Sequence, residues 1–523
     1  MAKQKKQDSF MEKEISLGAL KEYFSREWFI ALLLFAFSLA LHIAFKNTSL
    51  FHFDSAIDTI MVERTIQDWS LNYSYGWGAP AMIVIVGFFY YLDHLITGTM
   101  SAEGAYFLVT FVTAALSSSV MYLFVRRFAG RFTAIGSAVF LTITPLYLSA
   151  TTYPKTHPIA MFFALLSGFL ILLAADKKSW KLLAWAGLSA GIAMATRPID
   201  GGFVLIPFAL LYLSPRIEKG KLFLNMERVS ARNIAAFLAP AVLVLAVLIG
   251  PRVVFFGGIG GFLEMMKAEA RGGWRGLLNA QTAVSFSYMA ATLTYAGWIA
   301  VLAGIGYLLK KRRVYILSVL ALWFAIMFFY IGNLSVVDSR FLIPAVVPLC
   351  ILMAYGCKFV YDRHKTAGIA AVILIAALMF ASIYPVIKAR HDYSGQKEFA
   401  EYVAMMTEPN SAVFSGDNYV FIKRYGHREP LFFGRDTESI NDILKNILNG
   451  TSVYAVESAF PLLTQSEKEL LAKYFLIQYI GQAQNEIYQF SALDLRRFDE
   501  KLFQIKLNET AFKEGLDSGN ITA

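Results

Sequence analysis

The sequence predicts an α-helical polytopic membrane protein of about eleven transmembrane helices with a small α/β domain at its carboxyl terminus. Three observations lead there. Of 523 residues, 57% are hydrophobic and 16% charged, against about a quarter charged in ordinary globular chains, and the mean hydropathy is +0.51. Apolar runs of near-span length recur from residue 28 to residue 386. Beyond about residue 388 the composition becomes that of a water-soluble protein, with strand and helix patterns alternating.

Taken in order, residues 1–27 read as a cytoplasmic basic tail with a short interfacial helix, too long and too mixed in charge for a signal peptide. Apolar runs follow at about 28–46, 105–125, 132–150, 158–175, 182–196, 201–214, 234–250, 286–309, 314–332, 341–357 and 366–386. Most are near the roughly 20 residues that a bilayer core requires. A further run at 79–98 is ambiguous, because it opens on a proline and contains Asp93 and His94. The excess of Lys and Arg on cytoplasmic loops arbitrates. With 79–98 laid along the outer interface, the inside segments hold about 24 Lys and Arg, and the outside connections before the last domain about 9. With 79–98 as a span, Arg126, Arg127, Lys177, Lys178 and Lys181 would fall outside.

The first arrangement gives a transmembrane domain over 28–387. Its first outer loop is 47–104, and other outer connections lie at 151–157, 197–200, 251–285 and 333–340. The carboxyl-terminal domain, 388–523, is then extracytoplasmic, and the chain is a multi-pass protein of the cell (plasma or inner) membrane. Within that domain "SGQKEFAEYVAMMT", "DTESINDILKNILNG" and "TQSEKELLAKYF" read as helices, and "SAVFSG", "TSVYAVES" and "LIQYIGQ" as strands. It carries no Gly-rich phosphate loop and reads as an acceptor-binding or scaffolding unit.

The net charge of +10 is spread over span flanks and the basic tail, so nucleic acid is not an expected partner. Cys350 and Cys357 stand two helical turns apart, too far for a disulfide across a straight helix, and read as core thiols.

The span interiors are nearly free of ionisable residues, with His42 the main exception. Pumps and proton-coupled carriers keep such groups at membrane depth. Here the polar groups collect at span ends on the outer side: Asp54, Asp58, Lys155, His157, Arg197, Asp200, Arg252, Arg271, Arg275, Asp338 and Arg340. A carboxylate among several cations at an interface suits chemistry on a lipid phosphate. Two readings stand for Asp58: a capping box in "SAID", with Ser55 as the cap, or a site carboxylate on the same helix face as Asp54. Asp54 is a site residue or an exposed loop carboxylate. Arg197, Arg252 and Arg340 bind phosphate or snorkel to headgroups. His157, in the two-proline turn "YPKTHP", is a ligand or an interfacial residue. Arg271 and Arg275 sit in a 35-residue connection whose glycines, in "GGWRG", permit close approach to a phosphate.

Several stretches together resemble the GT-C superfamily of polyprenyl-phosphate-sugar glycosyltransferases, in the group of protein O-mannosyltransferases and lipid A aminoarabinose transferases. They are "FDSAIDTIMVERTIQDW", "YGWGAP", "LFVRRFAGRFTAIGSAVFLTITPLY", "AWAGLSAGIAMATRPIDGGFVLIP" and "DSRFLIPAVVPLCILMAYG", within residues 28–360. The resemblance implies a GT-C-like fold, first-loop helices lying along the membrane surface, and an inverting transfer of sugar from a polyprenyl-phosphate donor to an acceptor hydroxyl. It implies Asp54 as general base, with Asp58, Lys155, His157, Arg197, Arg252, Arg275 and Arg340 as candidate substrate contacts. The lipid-linked sugar donor and an acceptor (lipid, protein or glycan) are the partners. No cofactor or divalent metal is expected to be required, because the outer loops lack a DxD motif. The sequence departs from the pattern in two places. "GWGAP" has no basic residue before its proline, and "PKTHP" stands where relatives often carry a second acidic residue, leaving Lys155 and His157 to take part of that role.

Other classes remain in view: a membrane polysaccharide polymerase or ligase, a transporter or scramblase of lipid-linked sugars, and a catalytically inactive relative that binds them. The topology carries a direct test. A reporter enzyme fused after Ala523 is expected to be active only outside the cytoplasm; cytoplasmic activity would overturn the eleven-span arrangement.

Overall fold

The computed structural model describes residues 27–50, 52–73, 78–202, 205–213, 216–218, 221–223, 230–270, 276, 278–331, 338–431, 439–487 and 496–517. The first helix, α1 (Glu27–Ala44), is pinned at its start by Glu27, which pairs with Arg126 (3.2 Å) and Arg131 (2.9 Å). Its one ionisable residue at depth, His42, is buried and satisfied, its ring nitrogens meeting the Ser38 carbonyl and Thr151 Oγ1. The first connection then forms α2 (Phe53–Gln67) and α3 (Pro80–Ile96).

The remaining membrane helices are α4 (Ala102–Val125), α5 (Arg131–Ile143), α6 (Pro145–Thr151), α7 (Thr156–Lys177), α8 (Trp180–Thr196), α9 (Pro198–Gly202) and α10 (Leu205–Leu213). A short hairpin, β1 (Arg216–Glu218) with β2 (Lys221–Phe223), precedes α11 (Ala231–Phe255), α12 (Ile259–Ala270), α13 (Ala280–Lys310) and α14 (Val314–Ile331). A 3₁₀ turn, Ser339–Leu342, leads into α15 (Ile343–Tyr361), followed by α16 (Lys365–Asp392).

Among the described residues, eight helices have the length and hydropathy of a span, and the pair α5–α6, bent by 56° at its break, makes nine. The other two apolar runs expected to cross fold as shorter pieces, α8 and the pair α9–α10, broken where Pro198 ends helical continuation. The ambiguous run becomes α3, 17 residues long. One of its faces is buried, while Phe88, Phe89, Leu92, Leu95 and Ile96 are exposed on the other.

The bundle is organised around α15, apolar on all sides and buried continuously from Ile343 to Cys357. It approaches α13 so closely that a Cβ on Gly356 would run into the Ala300 carbonyl, and one on Gly304 into that of Leu352.

Past α16, α17 (Gly395–Met406) opens the carboxyl-terminal unit. It continues through β3 (Ala412–Phe414), α18 (Tyr419–Gly426), β4 (Glu429–Leu431), α19 (Ser439–Leu448), β5 (Val453–Val456), α20 (Gln465–Tyr474), β6 (Phe475–Ile487), β7 (Arg496–Leu507) and α21 (Glu509–Asp517). The strands form one sheet in the order β4-β3-β5-β7-β6. β3 is parallel to both neighbours, and β7 is antiparallel to β5 and β6. Thr464 and Glu467 form a reciprocal capping box at the start of α20.

α2 is not a surface helix with one dry face. Phe53, Ala56, Ile57 and Ile60 recur at helical spacing and pack into the core of the carboxyl-terminal unit. Ser55, Asp58, Thr59 and Val62, buried on the other side, face the membrane domain through contacts such as Ser55 to Pro154 and Asp58 to Tyr106. Two packed partners thus leave this segment little surface to present.

The close α13–α15 approach gives a stability prediction. Gly356→Ala forces the helices apart at a cost of about 1–3 kcal/mol, more than the ~1 kcal/mol that alanine gains over glycine inside a helix. Gly306→Ala, where the space is open, keeps the gain. Thermal unfolding in detergent is expected to show a lower midpoint for the first and an equal or higher one for the second.

Candidate active site

Asp54 owes its place to an unusual cap. His52 stands in extended backbone (φ −118°, ψ 140°) ahead of α2, and its Nδ1 accepts from the Asp54 amide at 3.1 Å. This corrects the capping-box reading of "SAID", since the cap lies three residues before Ser55. Ser55 instead donates its hydroxyl to the Pro154 carbonyl, tying α2 to the "YPKTHP" turn. Asp58 accepts from the Tyr106 hydroxyl at 2.9 Å.

That turn delivers the next two groups. Lys155 precedes α7 in extended backbone, and its Nζ reaches Asp54 Oδ2 at 2.7 Å and His52 Nδ1 at 3.1 Å. Arg340 arrives from the far end of the sequence, on the 3₁₀ turn before α15. Its Nη2 lies 3.2 Å from the same Asp54 oxygen. Asp338 fixes it from behind, accepting from the Arg340 amide at 3.0 Å and approaching Nε at 3.1 Å.

A phenyl ring collects the remaining groups. The guanidinium carbons of Arg340 and Arg197 each stand 5.5 Å from the centroid of Phe341, and the His157 ring stacks on it at 6.2 Å. Arg197 is paired with buried Asp200 at 2.8 Å. His157 is buried, and among the described residues neither of its ring nitrogens has a hydrogen-bond partner.

The structure thus gathers Asp54, Lys155, His157, Arg197 and Arg340 in one place, with Asp58 on the same face of α2. Arg252 stacks on Tyr73 (5.1 Å) and Phe256 (5.4 Å), linking α11 to the segment before α3. Arg271 and Arg275 lie outside the described residues. His52 and Phe341 were not anticipated from the sequence. The first had a signal in the pair "HFD", the second in an aromatic following Arg at a span start.

Exposure is uneven across the ion cluster. The side chains of Lys155 and Arg340 are 2% and 9% exposed, that of Asp54 41%. Asp54 is thus hemmed in by cations yet partly open to solvent, where a ligand can meet it. Burial pushes the Asp54 carboxyl up, but the charges of Lys155 and Arg340 outweigh it and hold the group well below the usual carboxylate range. Burial, reinforced by Arg340, pushes the Lys155 ammonium down to about 8 against the pull of Asp54. Burial and the same two cations push His52 well below its ordinary range, so its imidazole is neutral.

Residues 81–252 match the family model described as dolichyl-phosphate-mannose-protein mannosyltransferase. The apo structure of ArnT from Cupriavidus metallidurans superposes with a TM-score of 0.58 at 11% identity, over 90% of this chain and 97% of that one. The apo oligosaccharyltransferase of Archaeoglobus fulgidus gives 0.59 at 14% identity, over 87% and 74%. The chain shares its fold with these two membrane proteins. ArnT bound to undecaprenyl phosphate superposes with a TM-score of 0.55 at 11% identity, over 90% and 97%. No curated protein matches the sequence.

Asp54 also has a measurable structural role. Asp54→Asn leaves two buried cations facing each other and is expected to cost about 1–3 kcal/mol, less than the 3–5 of a sealed pair because Asp54 keeps contact with water. Adding Lys155→Met removes one of those charges and recovers part of the loss, as thermal unfolding of the single and double variants will read.

Proposed function

We propose that this chain is an inverting glycosyltransferase that moves a sugar from a polyprenyl-phosphate donor to an acceptor hydroxyl at the extracytoplasmic membrane face. The observation that carries the reading is the Asp54 carboxylate, open to solvent and bonded to Lys155 at 2.7 Å and Arg340 at 3.2 Å. The GT-C fold supports it, as does the undecaprenyl phosphate bound by a structural neighbour.

The donor phosphate comes to the solvent-facing side of Asp54 and takes up hydrogen bonds from Arg340 and Lys155, with Arg197 beside them on the Phe341 ring. Charge-assisted bonds from a guanidinium fork suit phosphate oxygens. As the cations turn toward the phosphate, Asp54 loses part of what holds its proton affinity down and becomes a better base. Asp54 takes the acceptor hydroxyl's proton as the acceptor oxygen bonds to the anomeric carbon. The bond from that carbon to the phosphate oxygen breaks on the opposite face, and polyprenyl phosphate leaves as an anion stabilised by the same cations. Asp58, buried against Tyr106 one turn along α2, acts on the site by holding the helix that carries Asp54.

The test is incubation of the purified protein with a panel of radiolabelled polyprenyl-phosphate sugars, with and without EDTA, beside Asp54→Asn. Expected is release of polyprenyl phosphate by the wild-type protein in EDTA, falling by at least the 10²-fold typical of a lost general base in the variant. Saturable binding without release from any donor would instead identify a binding relative. A loss in EDTA restored by Mg²⁺ or Mn²⁺ would refute metal independence.

A further inference from the structure

The carboxyl-terminal unit holds the chain on both flanks of Asp54. Upstream, Ser49 Oγ meets Ser394 Oγ, and the Leu50 amide donates to the Tyr425 hydroxyl at 3.2 Å. Downstream, Arg424 on α18 bridges two carboxylates from different elements. Its Nη1 lies 3.1 Å from Glu63 Oε1 on α2, and its Nε 3.2 Å from Glu103 Oε2 at the start of α4. Tyr425 donates to the same Glu103 carboxylate at 3.1 Å. Phe53, immediately before Asp54, meets the Tyr419 ring edge-on at 5.2 Å. Leu50, Ala56 and Ile57 are members of the unit's own apolar core.

An arginine at this junction does what a lysine does poorly: its rigid fork addresses two acceptors in fixed directions at once. The Arg424 side chain is only 13% exposed, so the bridge is better shielded than the surface ion pairs that contribute little. It sets the inclination of α2 against α4. Asp54 rides on the first turn of α2, and its partners Lys155 and Arg340 belong to the membrane domain. A tilt of α2 therefore translates directly into displacement of the carboxylate relative to the cations. Errors of about 1 Å in a reacting group cost on the order of 10²-fold in rate.

We propose that Arg424 is a positioning residue for the Asp54 centre, and that the carboxyl-terminal unit clamps the loop that carries the base. This rests on the transferase reading given above. The unit's role is thereby assigned to the geometry of the centre, whether or not it also meets the acceptor.

The experiment uses the full-length protein with Arg424→Ala, Arg424→Lys and, on the loop side, Glu63→Gln. It reads the rate of polyprenyl phosphate release, the KM for donor, and amide hydrogen exchange over residues 53–62 and over the sheet. Arg424→Ala is expected to lower kcat about 10- to 100-fold with donor KM within about twofold, and to speed exchange in α2 while the sheet stays protected. Glu63→Gln reproduces a smaller kcat loss, and Arg424→Lys recovers part of the rate. Unchanged kcat with unchanged exchange in α2 overturns the proposal. So does loss of protection throughout β3, β5 and β7 in Arg424→Ala, which would make Arg424 a folding residue. If the wild-type protein releases no polyprenyl phosphate from any donor, the transferase reading falls, and exchange in α2 alone still decides whether Arg424 clamps it.

Discussion

A buried lysine and a buried arginine do not stand side by side without a carboxylate between them. Lys155 and Arg340 are almost wholly withdrawn from water, and both point at one oxygen of Asp54. Removing each ion from water costs several kcal/mol even after relaxation; the shared carboxylate offsets part of that for both. Much of the surrounding architecture maintains this arrangement. The two-proline turn delivers Lys155, the 3₁₀ turn capped by Asp338 delivers Arg340, and His52 caps the helix that delivers Asp54. Three segments more than a hundred residues apart in places meet on a single oxygen atom.

The same arrangement sets a chemical tension. A carboxylate held by two cations is a stable anion and, for that reason, a weak base, since proton transfer is most effective when the base's pKa lies near the working pH. Competition for the cations relieves it. In the proposed transfer, a phosphate ester would bring its own negative charge to the site and offer the cations a second partner, so that the donor to be attacked would also free the base. Lys155 is suited to such an exchange: with its pKa pushed down to about 8, its charge is less firmly held than that of an exposed lysine. Arg340 keeps its charge at any physiological pH.

The spans were legible because apolar runs of bilayer length seldom occur in a chain that does not cross a membrane. Where the structure diverges from that pattern, the cause is specific. The break at Pro198 was legible; what composition did not show is that the pieces on either side of it, α8 and the pair α9–α10, stay shorter than a span. Asp54 stood out as a carboxylate in the first loop, and Lys155 and Arg340 as cations at span ends, yet nothing in the sequence pairs them across separations of 101 and 286 residues. His52 escaped notice because histidine is not among the residues preferred at helix starts. The two packed faces of α2 were encoded at positions 53, 56, 57, 60 and 55, 58, 59, 62. Serine, threonine and aspartate on the second face disguise it as a solvent side. In the carboxyl-terminal unit the short buried strands announced themselves, whereas β7, "RRFDEKLFQIKL", is charged along much of its length. It becomes a strand through its pairing with β5 and β6. Arg424 carries no local signal at all.

The sharpest test of the shared carboxylate is the titration of Asp54 itself, followed by infrared spectroscopy and assigned by its loss in Asp54→Asn. It is made on the free protein and again with saturating polyprenyl phosphate. Ionisation well below the usual carboxylate range is expected in the free protein, with an upward shift when phosphate draws Lys155 and Arg340 away. An ordinary titration in the free protein, or one that polyprenyl phosphate leaves unmoved, would contradict the competition between carboxylate and phosphate for the two cations.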